Sequence, residues 1–500
     1  MLLDWSVYGS GVIAAAVVAC AFFLVTSKHQ GLSLPPSPPG AHWFKGHSMP
    51  YDYSFLQVTR WVEELGPIIT LKQHRQNVVI IGRYQAAVDI MEKQGALSVD
   101  RPRSIAAGEI LSGGLRLLFT SAGPRFKKMR KALHSHLQPK AAERYQPIQL
   151  AHARNMVIHL LDTPEDFQLH AQTYAASVIL QISYGKTSPT SALDPDVQGV
   201  QRAMNNIRKA LQPGAYLVES YSFLKYVPWY ASDLKEAHKE DAELYMRQLD
   251  RVKSQMASGD AEPSFSKFLL ENQAEVNLTE KEMAFLTGGF FTAGSDTTSL
   301  GICIILMCAA LHPEAQTAVH EEIDAIIGKD RPPTFEDHDS LPQLRAFIAE
   351  TMRWRPIIPP GLPHRTTEDI FWASPRHIPF GTTLFGHHWA ISRDPDTFPD
   401  PDTFEPQRWI TGEGHFRDDL KFFPYGFGRR ACPGLHIANR SLFITALLIL
   451  WSFRLSMRSP SGNVFAYSRG FIPRERAFDI KFEPTRRMDR MELRAAVKSY

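Results

Sequence analysis

Four cysteines among 500 residues are too few to staple a chain of this size, which excludes a disulfide-built secreted scaffold and points to a reducing compartment. Charge of one sign is scarce in surplus too. Against 55 Lys and Arg stand 52 Asp and Glu, a formal net charge of +3, so the strongly basic face of a dedicated nucleic-acid binder is missing. No stretch repeats at a fixed period, which excludes a solenoid. No Gly-x-Gly-x-x-Gly opens a strand–helix unit, so the chain carries no dinucleotide fingerprint of its own. What remains is globular usage, 44% hydrophobic and 21% charged, enough to bury a sizeable core.

The amino terminus departs from that pattern. Val7–Val25 carries no charge and is long enough, as a helix, to span a hydrocarbon core. Asp4 precedes it and Lys28 follows; the leader has no Lys or Arg, unlike a cleaved signal. The positive-inside bias puts the Lys28 side in the cytoplasm. Residues 1–28 therefore read as a membrane anchor, residues 29–50 as a stiff hinge around Pro35, Pro36, Pro38 and Pro39, and residues 51–500 as one catalytic domain. Thr298–Leu311 is apolar but too short for a second span, with Asp296 before it, and reads as part of a buried core helix.

Helical periodicity dominates the body. It predicts helices over Tyr84–Lys93, Gly123–Leu137, Lys140–Leu161, Lys235–Ala257, Thr279–Leu311, Pro313–Ile327 and Leu341–Arg353. Thr279 with Glu282 makes a capping box, so Asn277-Leu278-Thr279 reads as a helix start rather than a glycosylation site. Ile68–Leu71 and Val78–Ile81 read as strands, and Gly361–Thr383 as short strands with turns. The fold class is mainly α with a small β part.

One cysteine differs from the rest. Cys20 lies in the anchor, and Cys303 and Cys308 lie in the apolar helix, where free cysteine behaves as a small hydrophobe. Cys432 lies in Tyr425-Gly426-Phe427-Gly428-Arg429-Arg430-Ala431-Cys432-Pro433-Gly434, with helical character resuming near Leu435. Glycines allow a tight turn with amides aimed at the sulfur. Those amides, nearby arginines and a helix N-terminus would favour the thiolate that binds metals. Upstream, Ala293-Gly294-Ser295-Asp296-Thr297-Thr298 puts an acid and hydroxyls in an apolar helix, costly without a purpose. Gly294 there would let the backbone approach something bulky. Glu350 and Arg353 share one helix face, which in isolation suggests an exposed ion pair.

The loop at Cys432 resembles the haem-binding loop of the cytochrome P450 family, with Tyr425 where phenylalanine is usual. Its relatives among fungal members that tailor terpenoids or polyketides are suggested by Gly386–Trp409. The resemblance implies haem b with Cys432 as axial thiolate to iron, seated by Tyr425, Gly426, Gly428 and Gly434. It assigns proton delivery to Asp296 and Thr297, and a structural triad to Glu350, Arg353 and Arg408. Arg130, Arg365 and Arg430 are candidates for the haem propionates, since Arg suits carboxylates. Phe126 stands where many members have tryptophan, so an indole bond to a propionate is not expected. Lys127, Lys128, Lys131, Lys421 and Arg429 could form a basic face for an acidic reductase. The expected activity is insertion of one dioxygen atom into a lipophilic small molecule. Electrons would come from NADPH through a separate cytochrome P450 reductase, with cytochrome b5 a second candidate donor. The resemblance implies a single-pass protein of the endoplasmic reticulum membrane, catalytic domain cytosolic. Pocket walls are expected from Arg101–Phe119, Asn205–Leu224, Phe290–Gly294, Ile357–Leu362 and Gly470–Pro473. Two rivals stand beside it: a same-fold isomerase or dehydratase needing no external electrons, and a non-catalytic haem or sterol carrier.

Overall fold

A helix with apolar residues on every side must be enclosed by others. The chain builds its body on that rule. In a computed structural model, residues 33–498 are described, apart from 44, 51–52, 74–75, 189, 329–330, 374–375, 460–464, 466, 468–477 and 486–488. The anchor and residues 470–473 of the expected pocket wall lie outside the described residues.

The principal helices are α1 (Ser54–Leu65), α2 (Pro124–Leu137), α3 (Gln146–Asp162), α4 (Phe167–Tyr184), α5 (Pro195–Leu211), α6 (Ser232–Ser258), α7 (Glu280–Leu311), α8 (Pro313–Ile326), α9 (Pro342–Trp354) and α10 (Leu435–Ser452). Thr279 caps α7 with Glu282 in the reciprocal box that the sequence predicts. Its half from Thr298 to Ala310 is buried throughout, packed with α4, α6 and α10 in the main core. Both α7 and α10 are long and apolar enough to cross a bilayer, and both are largely buried inside protein instead.

The expected single helix over Lys140–Leu161 is two: Pro139–Glu143, then α3. Pro147 explains the break, because its ring clashes with the carbonyl four residues back and it has no amide to donate. Helices α4 and α5 were not among the expected elements.

Among the described residues the strands are β1 (Ile68–Gln73), β2 (Gln76–Ile81), β3 (His364–Arg365), β4 (Ile370–Trp372), β5 (Arg376–Ile378), β6 (Thr383–Gly386), β7 (Phe453–Met457) and β8 (Ile480–Pro484). They form one four-stranded sheet, β1-β2-β6-β3, and two hairpin-like pairs. The β1–β2 hairpin pairs Ile68 with Ile81, and β6 then joins β2 in parallel, Val78 opposite Thr383. That parallel pairing brings the segments flanking residues 82–100 and 387–434 side by side, which sets where the cysteine loop lands.

Candidate functional site

The loop before α10 turns on two glycines in the left-handed region, Gly426 (φ 80°) and Gly428 (φ 50°), which other residues rarely adopt. At Gly428 a Cβ would meet the Met91 carbonyl oxygen at 2.7 Å, so the loop lies directly against the turn at residues 91–95. The Gly428 N–H donates to the Glu92 carboxylate at 2.6 Å, and the Cys432 N–H to the Tyr425 carbonyl at 2.9 Å. The Tyr425 hydroxyl donates to Asn439 Oδ1 at 2.5 Å, an anchor that phenylalanine could not make. Helix α10 starts at Leu435, immediately after Gly434.

The electrostatics of the sulfur differ from the sequence expectation. Burial pushes the Cys432 thiol up, while the Gly434 amide and the Arg130 guanidinium pull it partly back. Neither neighbouring arginine supplies that charge. Arg429 is exposed, and Arg430 turns away, donating to the carbonyls of Val99 (2.6 Å) and Thr120 (2.7 Å). Arg130, from α2, donates to the Ala431 carbonyl at 2.9 Å. A thiol held up by burial is inert alone and ionises when a metal cation supplies the missing charge.

The cations expected at the propionates do gather, with changes. Arg430 lies over the Phe126 ring at 3.6 Å, so the phenylalanine stacks on a guanidinium where an indole could have donated. Arg365 is already paired with Asp100. Sequence reasoning missed Arg101. It is buried, its Nη1 donates to the Pro363 carbonyl, and its Nε has no partner. Burial lowers its pKa to about 9, and the Arg430 charge adds to that. Two buried guanidiniums beside each other with an orphaned donor need an anion, and a group carrying two carboxylates fits. The residues present therefore suit a haem: one enclosed thiol with Arg130 beside it, and a second pair of guanidiniums, Arg101 and Arg430, next to each other.

Behind them three imidazoles are buried: His364, His387 and His388. Burial holds their pKa values at about 3, about 3 and about 4, with the Arg101 and Arg430 charges adding at His364 and the neighbouring His388 imidazole at His387. The folded values lie below the unfolded value of about 6.5, so these groups are neutral in the fold and take up protons on unfolding. Their contribution to stability is whole above pH ~6.5 and is lost as pH falls toward their folded values. The melting temperature is expected to decline steeply between pH 6.5 and 4, followed by circular dichroism; a flat profile would contradict this reading.

On α7 the Thr297 hydroxyl donates to the Ala293 carbonyl at 2.8 Å. Asp296 pairs with Arg208 of α5, a partner without any sequence signal. Burial raises the Asp296 carboxyl and Arg208 opposes that. Gly294 has another reason than the one expected: a Cβ there would lie 2.9 Å from Ile179 Cδ1, so it admits the neighbouring helix α4. Of the expected pocket walls, two meet. Ile105, Ala106, Ala107 and Leu111 pack with Ile207, Ala210 and Val218, and the Glu219 carboxylate accepts from the amides of Ile105 and Ala106.

Glu350 and Arg353 are not an exposed pair. Both are fully buried and bonded twice, each time at 2.7 Å. Arg408 Nε and Trp409 Nε1 donate to the same carboxylate at 3.1 and 3.0 Å. Lys127, Lys131, Lys421 and Arg429 are exposed, whereas Lys128 is half-buried and donates to the Asn277 carbonyl.

Residues 35–482 match the family model for cytochrome P450. The chain is 45% identical over 94% of its length, and 95% of the relative's, to cytochrome P450 monooxygenase 113 of Postia placenta. It is 43% identical to cytochrome P450 monooxygenase 64 of the same fungus, with 96% of each covered. To cytochrome P450 monooxygenase claR of Ampulloclitocybe clavipes it is 32% identical, over 90% of this chain and 86% of that one. The chain belongs to the cytochrome P450 family, whose fold is this helical body with small sheets and whose members carry haem. Within that family it is a monooxygenase, similar along its length to fungal enzymes of that activity.

Proposed function

We propose that Cys432 binds the haem iron as its thiolate, that Arg101, Arg130 and Arg430 hold the propionates, and that the enzyme oxygenates a lipophilic small molecule, a terpenoid or other secondary metabolite. The enclosed Cys432 thiol, with the Arg130 guanidinium bonded to its own loop at the Ala431 carbonyl, carries the reading, and the orphaned Nε of buried Arg101 supports it. When bound, a thiolate-ligated haem supplies activation of dioxygen, aided by electron density from the sulfur. The balance is one dioxygen and two electrons with two protons, giving one oxygen in the product and one in water. NADPH provides the electrons through a separate reductase, for which the exposed Lys127, Lys131, Lys421 and Arg429 offer a basic landing face.

The protein's own part is to position, to keep water out and to move protons. The apolar contact of residues 105–111 with 207–218 makes an apolar wall, suited to a lipophilic guest. Asp296 takes protons and Thr297 holds the hydroxyl that hands them on. The uncharged run at Val7–Val25 supports a single-pass anchor in the endoplasmic reticulum with the body in the cytosol. Exposed Leu217, Phe223, Tyr226 and Trp229 add an apolar patch that suits a membrane-facing side.

The experiment is reconstitution with reductase, NADPH and isotopically labelled dioxygen, scoring one labelled oxygen in apolar candidates. Thr297→Ala is expected to cut product about tenfold to a hundredfold while NADPH is still consumed and peroxide rises. If the variant couples as well as the wild type, the assigned role of Thr297 is wrong. A wild type that consumes no NADPH yet converts its substrate would favour the isomerase.

A further inference from the structure

Asp296 faces more than Arg208. The residue also lines a cavity of about 20 Å³ between α4, α5 and α7, together with Val197, Val200 and the polar residues Gln172, Gln201, Ser295 and Ser299. That volume holds one water molecule, if polar partners are there to bind it. They are. Ser295 Oγ is buried and has no hydrogen-bond partner, which is a cost unless something pairs it. Gln201 Nε2 donates to Gln172 Oε1 at 3.0 Å, so two half-buried amides bridge α4 and α5 at the cavity. Ser299, one turn on, is already used, donating to the Asp296 carbonyl at 2.8 Å. The hydroxyl left over is therefore the one beside the carboxylate.

We propose that this cavity holds one ordered water, bonded to Ser295 Oγ and the Asp296 carboxylate, and that the Gln172–Gln201 pair is its gate to bulk solvent. The inference deepens, and rests on, the reading of Asp296 as the proton-delivering group. Each proton Asp296 hands on is replaced from the cavity water, which takes another from solvent past the amide pair. No electron moves, and the carboxylate returns to its starting form. Val197, Val200 and Ser299 complete the lining, and the volume of about 20 Å³ leaves space for one water. Ser295 and Gln201 are positioning residues here: they hold the water and do not touch the substrate.

A crystal structure of the holoenzyme is expected to show a water within hydrogen-bond distance of Ser295 Oγ and the Asp296 carboxylate. In Ser295→Val the added methyl groups fill the cavity and the water should be gone; Ser295→Thr should keep it. The kinetic probe needs no substrate. With reductase and NADPH alone, dioxygen leaves either as peroxide, using one NADPH, or as water, using two and more protons. Ser295→Val and Gln201→Leu should raise the peroxide-to-water ratio about tenfold and alter the solvent deuterium isotope effect, with the reduced carbon-monoxide band unchanged. Ser295→Thr should behave as wild type. A dry cavity in the wild type overturns the proposal. So does a water whose removal leaves the ratio unchanged while Asp296→Asn shifts it. If Asp296→Asn also shifts nothing, the proton-delivery reading falls first and the gate falls with it.

Discussion

Cys432→Ser, reduced with dithionite under carbon monoxide, is expected to lose the strongly red-shifted Soret band of the wild type, and turnover should fall by more than about a thousandfold, or ~4 kcal/mol. The substitution is close to isosteric, and the loop that holds residue 432 does not depend on its side chain. Its frame is main chain: Cys432 N–H to Tyr425, Gly428 N–H to Glu92, and Arg130 to the Ala431 carbonyl. The change therefore tests chemistry rather than folding. An alcohol is far harder to ionise than a thiol, so a serine at 432 would offer a bound haem less electron density and weaken the dioxygen activation that the haem would supply. Retention of the red-shifted band in the serine variant would place the ligand elsewhere and overturn the assignment.

Glu350→Gln should be the most damaging change outside the iron site. The Glu350 carboxylate accepts from Arg353 Nε and Nη2, Arg408 Nε, Trp409 Nε1 and the Glu405 amide, all in a buried setting. Burial alone would push its carboxyl up, yet Arg353 and the other donors hold it below the usual carboxylate range. The glutamine amide presents one acceptor oxygen and two hydrogens that point at guanidiniums, leaving Arg353 charged and unpaired in the core. Breaking one partner of a buried pair costs about 3–5 kcal/mol, a large share of the ~5–15 kcal/mol that holds a typical domain. Soluble holoprotein should drop sharply, and what remains should melt well below the wild type. Glu350→Asp, which keeps the charge but shortens the reach, should lie between the two. A Glu350→Gln protein within about 1 kcal/mol of wild type by urea unfolding would show that the network is decorative.

Much of the fold is legible where one physical signal acts alone. The capping box at Thr279 fixes the start of α7, and the uninterrupted apolar run after Asp296 fixes its burial. Helix α5 was equally readable: Asp194 caps it, Pro195 opens it, and Val197, Val200, Ala203, Ile207 and Ala210 make a buried stripe. Helix α4 was not, since it is buried on almost every side and carries no stripe to find. At the site, the spacing around Cys432 announces the loop, but spacing says nothing about which arginine faces inward. Arg429 and Arg430 are neighbours in sequence and point in opposite directions, one to solvent and one to the Val99 and Thr120 carbonyls. Arg101 and Arg208 matter because of what is packed beside them, and no local pattern reports that.

The parallel pairing of β2 with β6 has a consequence for synthesis. Val78 cannot find Thr383 until some three hundred further residues have left the ribosome, and Cys432 follows later still. Contacts so distant along the chain close slowly. Buried Arg101 and half-buried Arg130 therefore exist for most of translation without the loop that Arg130 is to bond. Iron capture belongs to the last act of folding, and a chain ended by a premature stop between Arg130 and Cys432 is left with those two cations and without the Cys432 sulfur.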